Sequence, residues 1–432
     1  MPTISNFIIA APSSGTGKTT LTLGLLRALK NRGMNVQPFK CGPDYIDTKF
    51  HTMASGNDSV NLDLFLSSNE HVEALYNKHI QKKDVGIVEG VMGLFDGYNK
   101  MRGSSAEVAE VLNIPVILVV NAKSVAYSVA PLIYGFKNYY KKINLVGVIF
   151  NFVGSESHYS FLKDACLDIG VESLGYLPKN TEIEIPSRHL GLTLDEKYRF
   201  DDFADKVASI VEQHINIDKL LDITQSEINS LKDSTSVTYL QEIKIAVAQD
   251  EAFNFVYHEN IETLKELGTV SFFSPLRDNE LPDADFVYLP GGYPELYVKQ
   301  LSENTGMINS IKQYAESGGK ILAECGGMMY LSSFIISDNG TAYPMVNIFK
   351  QTATMQQMKL KLGYRQFRYN EMEFKGHEFH YSDISNEHDS ITSINNAKGT
   401  KVTTKLLRYK NVIAGYTHIY WAENKNILDL FK

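Results

Sequence analysis

The segment "FIIAAPSSGTGKTT", residues 7–20, constrains this chain more than any other. An apolar run leads into a loop of small residues and then into a helical pattern, "TLTLGLLRALKNRG". Strand, glycine-rich loop and helix in that order form the context a phosphate-binding loop requires. Backbone amides around Gly15, Thr16, Gly17 and Lys18 would cradle phosphate oxygens at the positive end of the helix. Lys18 would reach the β- and γ-phosphates of ATP, the Thr19 hydroxyl would ligate Mg²⁺, and Thr20 would belong to the ATP-binding loop. The common spacing G-x-x-x-x-G-K-[ST] asks for glycine at position 12, where this chain has Pro12. A glycine-rich turn without nucleotide is the plainer alternative, but it does not account for an intact "GTGKTT" with these flanks.

A buried first strand needs neighbours, and the sequence supplies them. Apolar runs recur at "VQPFK" (36–40), "VGIVEG" (85–90), "PVILVVN" (115–121) and "LVGVIFN" (145–151), separated by helical patterns. Strands apolar on both faces and alternating with helices imply a parallel sheet covered on both sides. A second α/β series starts at "IKIAVAQD" (243–250) and continues through "TVSFFS", "FVYLPGG" and "KILAEC"; after 340 the pattern turns towards β. Between the series, 226–242 has the composition of a linker. The expected fold class is therefore α/β with two doubly wound domains, 1–225 and 243–432, the first a P-loop NTPase-like parallel sheet.

At 432 residues the chain is long enough for two such cores. Its net charge of −8 gives no general attraction to nucleic acid or anionic membrane. Three widely spaced cysteines form neither a disulfide framework nor a metal pattern, which points to a reducing cytoplasm. The longest apolar run, "IPVILVV", is too short to span a bilayer, and the N-terminus lacks the basic start of a signal peptide.

Acidic residues gather near the phosphate loop in the expected topology. "KCGPDYIDTKFH" (40–51) follows the second strand and carries Lys40, Asp44 and Asp47. The ends of parallel strands form the ligand edge of such a sheet. Two carboxylates there would serve Mg²⁺ or substrate, and Lys40 would offset charge on a transferring phosphoryl group. "GPD" is also good turn chemistry, and Asp44 alone would read as a helix cap. In "IVEGVMGLFDGY" (87–98) Glu89 ends a strand, aimed at the magnesium, with Gly90 and Gly93 giving room. Asp96 is a further substrate candidate, although "FDGY" is turn chemistry too. Asn151, ending its strand, would meet a nucleobase edge, and Arg188 in "IPSRHLGL" an anion.

"GGKILAECGGMMYL" (318–331) is a strand, then Cys325, then Gly326 and Gly327, then a helix start. This is a nucleophile elbow with sulfur in place of oxygen. A helix N-terminus would favour the thiolate, and the Gly326 amide would face an oxyanion. A cysteine is more often a small buried hydrophobe, but the flanking glycines after a strand shift the balance. "YLPGGYPEL" ends another strand with Gly291 and Gly292, which would complete the oxyanion hole. His418, in "AGYTHIYWAE", is the candidate base. His377, Glu378 and His380 in "GHEFHYS" are candidates to support it.

Together, "SSGTGKTT", "KCGPDYIDTKFH", "VEGVMGLFDG", "PGGYPEL", "AECGGMMYL" and "GHEFHYS" resemble the cobyrinic acid a,c-diamide synthase family over residues 5–423. The resemblance implies a dethiobiotin synthetase-like domain fused to a flavodoxin-like class I glutamine amidotransferase domain. It implies ATP- and glutamine-dependent amidation of two acetate carboxylates of a tetrapyrrole in corrinoid biosynthesis. Lys18, Thr19, Asp44, Asp47, Glu89 and Asp96 match positions of the family's synthetase site, Cys325 its nucleophile and His418 the activating histidine. One departure is Tyr420, two residues after His418, where family members often have histidine and other class I amidotransferases glutamate. Hydrogenobyrinic acid and nickel-sirohydrochlorin are alternative substrates. An ATP-switched scaffold is disfavoured by Ser13, which replaces that class's signature lysine, and by the Cys325 elbow. The implied partners are small molecules, not nucleic acid or membrane, and a homodimer is compatible with this reading.

Overall fold

The computed structural model describes residues 3–179, 200–227, 243–385, 388–425 and 427–432. The chain falls into two compact units, Met1–Ser234 and Thr235–Lys432.

The first unit is built on seven parallel strands: β1 (Thr3–Ala10), β2 (Val36–Cys41), β3 (Val60–Leu62), β4 (Val85–Glu89), β5 (Val116–Asn121), β6 (Leu145–Val153) and β7 (Glu172–Pro178). Their order is β3-β2-β4-β1-β5-β6-β7. β1 is central, and its side chains alternate between two cores: Ile4, Ile8 and Ala10 enter one, Phe7 and Ile9 the other. β5 divides in the same way, with Val116, Leu118 and Val120 against Ile117 and Val119. This is why these strands read as unbroken apolar runs rather than alternating ones. A short strand, β8 (Gln225–Glu227), pairs antiparallel with Thr3–Ser5 of β1, below the stretch where β5 pairs. Ser226 and Glu227, the first residues of the expected linker, are thus part of this sheet. β3 escapes sequence reading because three residues, "VNL", carry no measurable period.

Helix α1 (Lys18–Asn31) starts directly after Gly17, whose φ of 93° is the left-handed conformation that glycine adopts without strain. The chain then leaves β2 through a turn into α2 (Asp47–Ser55). Among the described residues no helix is long and apolar enough to cross a membrane.

Among its described residues the second unit has parallel strands β9 (Ile243–Ala248), β10 (Gly268–Phe273), β11 (Phe286–Leu289) and β12 (Lys320–Glu324). A fifth parallel strand, Val412–Gly415, pairs with β12, and Leu406–Tyr409 closes the edge antiparallel. The order β10-β9-β11-β12 followed by Val412–Gly415 is the flavodoxin-like 2-1-3-4-5 arrangement. Two four-stranded sheets supply the β character expected after residue 340. One pairs Lys361–Tyr369 with Met372–His380, and the latter with His418–Tyr420.

Candidate active sites

In the first unit, sheet register assembles the site. β4 lies between β1 and β2, so Glu89 is level with Ile9 on one side and Lys40 on the other. The phosphate loop leaves β1 at this level. Glu89 is fully buried, and its carboxylate is the hub of a polar network. Oε1 accepts the Thr19 hydroxyl at 2.7 Å and Lys40 Nζ at 2.8 Å, while Oε2 meets His51 Nε2 at 2.7 Å. Lys40 Nζ also lies 2.7 Å from Asp47 Oδ2. Burial would push the Glu89 carboxyl up, but Lys40 and His51 hold it well below the usual range. Burial likewise opposes the Lys40 charge, and Asp47 and Glu89 more than restore it, raising its pKa. Both groups are therefore charged, a buried pair kept by mutual attraction and by satisfied hydrogen bonds.

A cleft of about 510 Å³ opens over this network. It is lined by Gly15, Gly17, Lys18, Thr19, Thr20, Lys40, Asp44, Asp47, Glu89 and Asn151, all read as site residues from the sequence. Lys18 Nζ donates to the Met92 carbonyl at 2.6 Å and to that of Ser13 at 3.4 Å. Asp44 Oδ1 accepts the amides of Ile46 and Asp47, so it caps the turn into α2 as well as lining the cleft. Hydroxyl and carboxylate oxygens from Thr19, Asp47 and Glu89 converge here, a donor set of the hard kind that suits Mg²⁺.

Three of the expected site residues also hold the loops in place. Asn151 uses Nδ2 on the Thr16 carbonyl at 2.8 Å and Oδ1 on the Phe152 amide, so its side chain braces the phosphate loop. A Cβ on Gly17 would lie 1.9 Å from that Nδ2, so the loop can pack on Asn151 only with glycine there. Asp96 Oδ2 accepts the Gly93 amide at 2.9 Å and closes the turn of its own loop. Thr16 is buried, contributing its carbonyl to Asn151. Arg188 lies outside the described residues. His51 went unread in the sequence, although Asp47 and His51 are four apart on α2 and so share a helix face.

In the second unit three neighbouring strand ends carry the chemistry. β11 leads to Gly291 and Gly292, β12 to Cys325, and Val412–Gly415 to His418. Cys325 has φ 48° and ψ −105°, outside the usual regions for a residue with a side chain, between β12 and the helix Gly326–Tyr330. Its amide is anchored to the Gly415 carbonyl at 2.7 Å. A Cβ on Gly326 would lie 3.1 Å from the Gly292 nitrogen and 2.8 Å from Pro294 Cδ. The turn after β11 thus sits directly on the elbow, with the Gly292 nitrogen beside Gly326. A Cβ on Gly291 would lie 2.2 Å from His418 Cε1, so the imidazole occupies the space a side chain there would need.

Desolvation works against the thiolate that the helix N-terminus would favour. Burial and the nearby Glu295 push the Cys325 thiol up, and the Gly326 amide offsets this only in part. The helix has five residues, and its end effect loses to desolvation. Burial, with His377 and His380, holds His418 down to about 3. Burial thus favours the neutral form of both groups.

His377 faces His418 across the antiparallel register. Glu378 and His380 instead pair with each other: His380 Nε2 meets Glu378 Oε1 at 2.8 Å, and Thr404 and Arg365 also donate to the carboxylate. Against the pull of burial, His380 and Arg365 hold the Glu378 carboxyl down to about 2. The other ring nitrogen of His380 meets the Ser382 carbonyl at 2.8 Å, and the ring stacks on Tyr416 at 3.5 Å. Glu324 was also unread. Its Oε1 accepts the Ile419 amide at 2.9 Å and its Oε2 the Tyr288 hydroxyl at 2.6 Å, tying the residue before the nucleophile to the residue after His418.

Residues 7–192 match the CobQ/CobB/MinD/ParA nucleotide binding domain, and residues 244–426 the CobB/CobQ-like glutamine amidotransferase domain. Full-length relatives carry the name cobyrinate a,c-diamide synthase. The protein of that name from Caldanaerobacter subterraneus subsp. tengcongensis is 42% identical, over 96% of this chain and 94% of its own length. That from Listeria innocua is 39% identical over 98% of both chains, and that from Methanocaldococcus jannaschii 39% over 96% of both. A nucleotide cleft and a thiol elbow in one chain, with identity of this degree along nearly its whole length, mean that the chain belongs to the cobyrinate a,c-diamide synthase family.

Proposed function

We propose that this enzyme amidates the a and c acetate carboxylates of cobyrinic acid, using ATP to activate each carboxylate and glutamine as the nitrogen source. One observation carries the reading: a chain of this family joins a phosphate cleft hubbed on Glu89 with a Cys325 elbow set against Gly292, Gly326 and His418. A carboxylate does not react with ammonia, because its charge repels the nucleophile and oxide is a poor leaving group. In the first unit a substrate carboxylate oxygen attacks the γ-phosphorus of ATP, the bond to ADP breaks, and an acyl phosphate results. Lys18 and Lys40 offset the charge on the transferring group. Thr19, Asp47 and Glu89 would hold Mg²⁺, which when bound offsets phosphate charge. Ammonia then attacks the acyl carbon, and phosphate leaves.

Free ammonia is mostly protonated at neutral pH, so it is best made in place. Cys325 gives its proton to His418 as sulfur attacks the glutamine side-chain carbon. The amides of Gly292 and Gly326 hold the oxyanion, the carbon–nitrogen bond breaks, and His418 returns the proton to departing ammonia. Water then cleaves the thioester to glutamate. His377, opposite His418 in the sheet register, is the neighbour best placed to support it. Three buried free thiols suit a cytoplasmic setting.

The test is incubation with ATP, Mg²⁺ and either glutamine or ammonium, with cobyrinic acid, hydrogenobyrinic acid and nickel-sirohydrochlorin compared, and mass spectrometry counting the amides formed. Cys325→Ala is expected to lose the glutamine-dependent products and keep the ammonium-dependent ones. No amide from any of the three with either nitrogen source would overturn the proposal.

A further inference from the structure

Glu295 has no part in the chemistry above, yet it stands next to it. It lies three residues beyond Gly292, in the turn Pro294–Leu296, and Pro294 packs on Gly326 at the elbow. The side chain is partly buried. Among the described residues no lysine, arginine or histidine pairs with it, and its recorded partner is its own backbone amide. Other recessed acids of this unit are tied down: Glu378 by Arg365, His380 and Thr404, and Glu324 by Tyr288 and Ile419. A carboxylate left without a cation near a nucleophile is costly twice over. Desolvation opposes its charge, pushing its pKa up to about 7, and that charge in turn opposes a thiolate at Cys325.

A cationic ligand would relieve both costs. With the side-chain carbon of glutamine at the Cys325 sulfur, three carbon–carbon bonds of about 1.5 Å lead back to the carbon that bears the ammonium. That short reach keeps the ammonium near the turn Pro294–Leu296, which packs on the elbow through Pro294. We propose that Glu295 is the specificity residue that receives the α-ammonium of glutamine. The ion pair orients the amide on the elbow. It also cancels the charge that disfavours the thiolate, so the correct substrate helps to ready the nucleophile that attacks it. A primary amide without the ammonium leaves the negative charge in place. This inference rests on the glutaminase reading of the second unit and adds to it the part of the substrate that is recognised.

The experiment compares glutamine with glutaramate, the same amide acid without the α-amino group, by ammonia release from the full chain. The wild type should prefer glutamine in kcat/KM by about 10- to 100-fold, the range for a hydrogen bond between charged groups. In Glu295→Gln that preference should collapse towards unity, and Glu295→Asp should retain an intermediate preference. A Glu295→Gln enzyme with an undiminished preference would overturn the assignment. Should the variants not fold, the wild type still decides, since equal kcat/KM for the two amides would overturn the assignment alone. Hydrolysis of neither amide would overturn the glutaminase reading as well, which separates the two failures.

Discussion

The Thr19 hydroxyl donates to Glu89 Oε1 over 2.7 Å, joining the first turn of α1 to the end of β4. Seventy residues separate the two in sequence. The bond fixes the phosphate loop against the carboxylate that also holds Lys40 and His51. Glu89→Gln removes the charge while keeping the shape. Amidation should fall by on the order of 10²- to 10³-fold whether nitrogen comes from glutamine or from ammonium. Parallel assays with the two nitrogen sources check this, and ordinary ammonium-dependent turnover would exclude Glu89 from the synthetase step.

His51 is fully buried on α2, with Nε2 on Glu89 and Nδ1 3.4 Å from the Ser59 hydroxyl. His51→Ala takes away the partner of a buried carboxylate oxygen. The expected loss is about 1–3 kcal/mol of stability, read as a lower midpoint of thermal unfolding for the first unit. Ser59→Ala, which removes only the long contact, should cost less. Equal costs would show that the Glu89 contact contributes little.

Gly291 owes its identity to His418. A methyl group at 291 would lie 2.2 Å from His418 Cε1, so the ring or the strand must move. Gly291→Ala should cut glutamine-dependent amidation by roughly 10²-fold, since displacements of about 1 Å carry losses of that size. Ammonium-dependent amidation should be spared. Comparing the two rates in one preparation checks both halves of the expectation.

Glu324 makes stability depend on pH. Burial pushes its carboxyl up to about 8, against 4.5 for an ordinary glutamate. Between pH 4.5 and 8 the folded chain therefore holds a proton that the unfolded chain has lost. The stability from this group is fully present below pH 4.5 and is lost as pH rises through 8. Glu324→Gln resembles the protonated form: its amide can give a hydrogen to Tyr288 and accept the Ile419 amide. The variant should unfold with a flatter dependence on pH across this window. Denaturant midpoints at a series of pH values check it, and an unchanged slope would refute the role of Glu324.

The two loops that define the chemistry were legible because their geometry is local. In "GTGKTT" and "ECGG" the order of strand, special backbone conformation and helix is written over about ten consecutive residues. Gly17 at φ 93° and Cys325 at φ 48° take up the turns those strings imply. Asp47 and Glu89 were also readable, Glu89 ending β4 and Asp47 opening the helix that follows β2, both on the ligand edge of a parallel sheet. His51 and Glu324 were not. One is a helix residue whose meaning comes from a neighbour on β4, and the other gains its partners, Tyr288 and Ile419, only from distant strands. Asn151 and Asp96 were recognised as polar residues at strand or loop ends, but their partners, the Thr16 carbonyl and the Gly93 amide, are backbone groups that no side-chain pattern records.

By itself, then, the sequence determined two α/β sheets, a phosphate loop and a thiol elbow, because apolar periodicity and turn chemistry are short-range properties of a chain. Tertiary structure decided the rest. Strand order set β4 between β1 and β2, and so Glu89 beside both Thr19 and Lys40. It also set Val412–Gly415 beside β12, bringing His418 and Gly291 to the elbow. Burial then settled the charges, keeping Lys40 and Glu89 ionised through each other and favouring the neutral forms of Cys325 and His418. Charge state depends on desolvation and on neighbours brought from distant parts of the chain, and neither exists until the chain has folded.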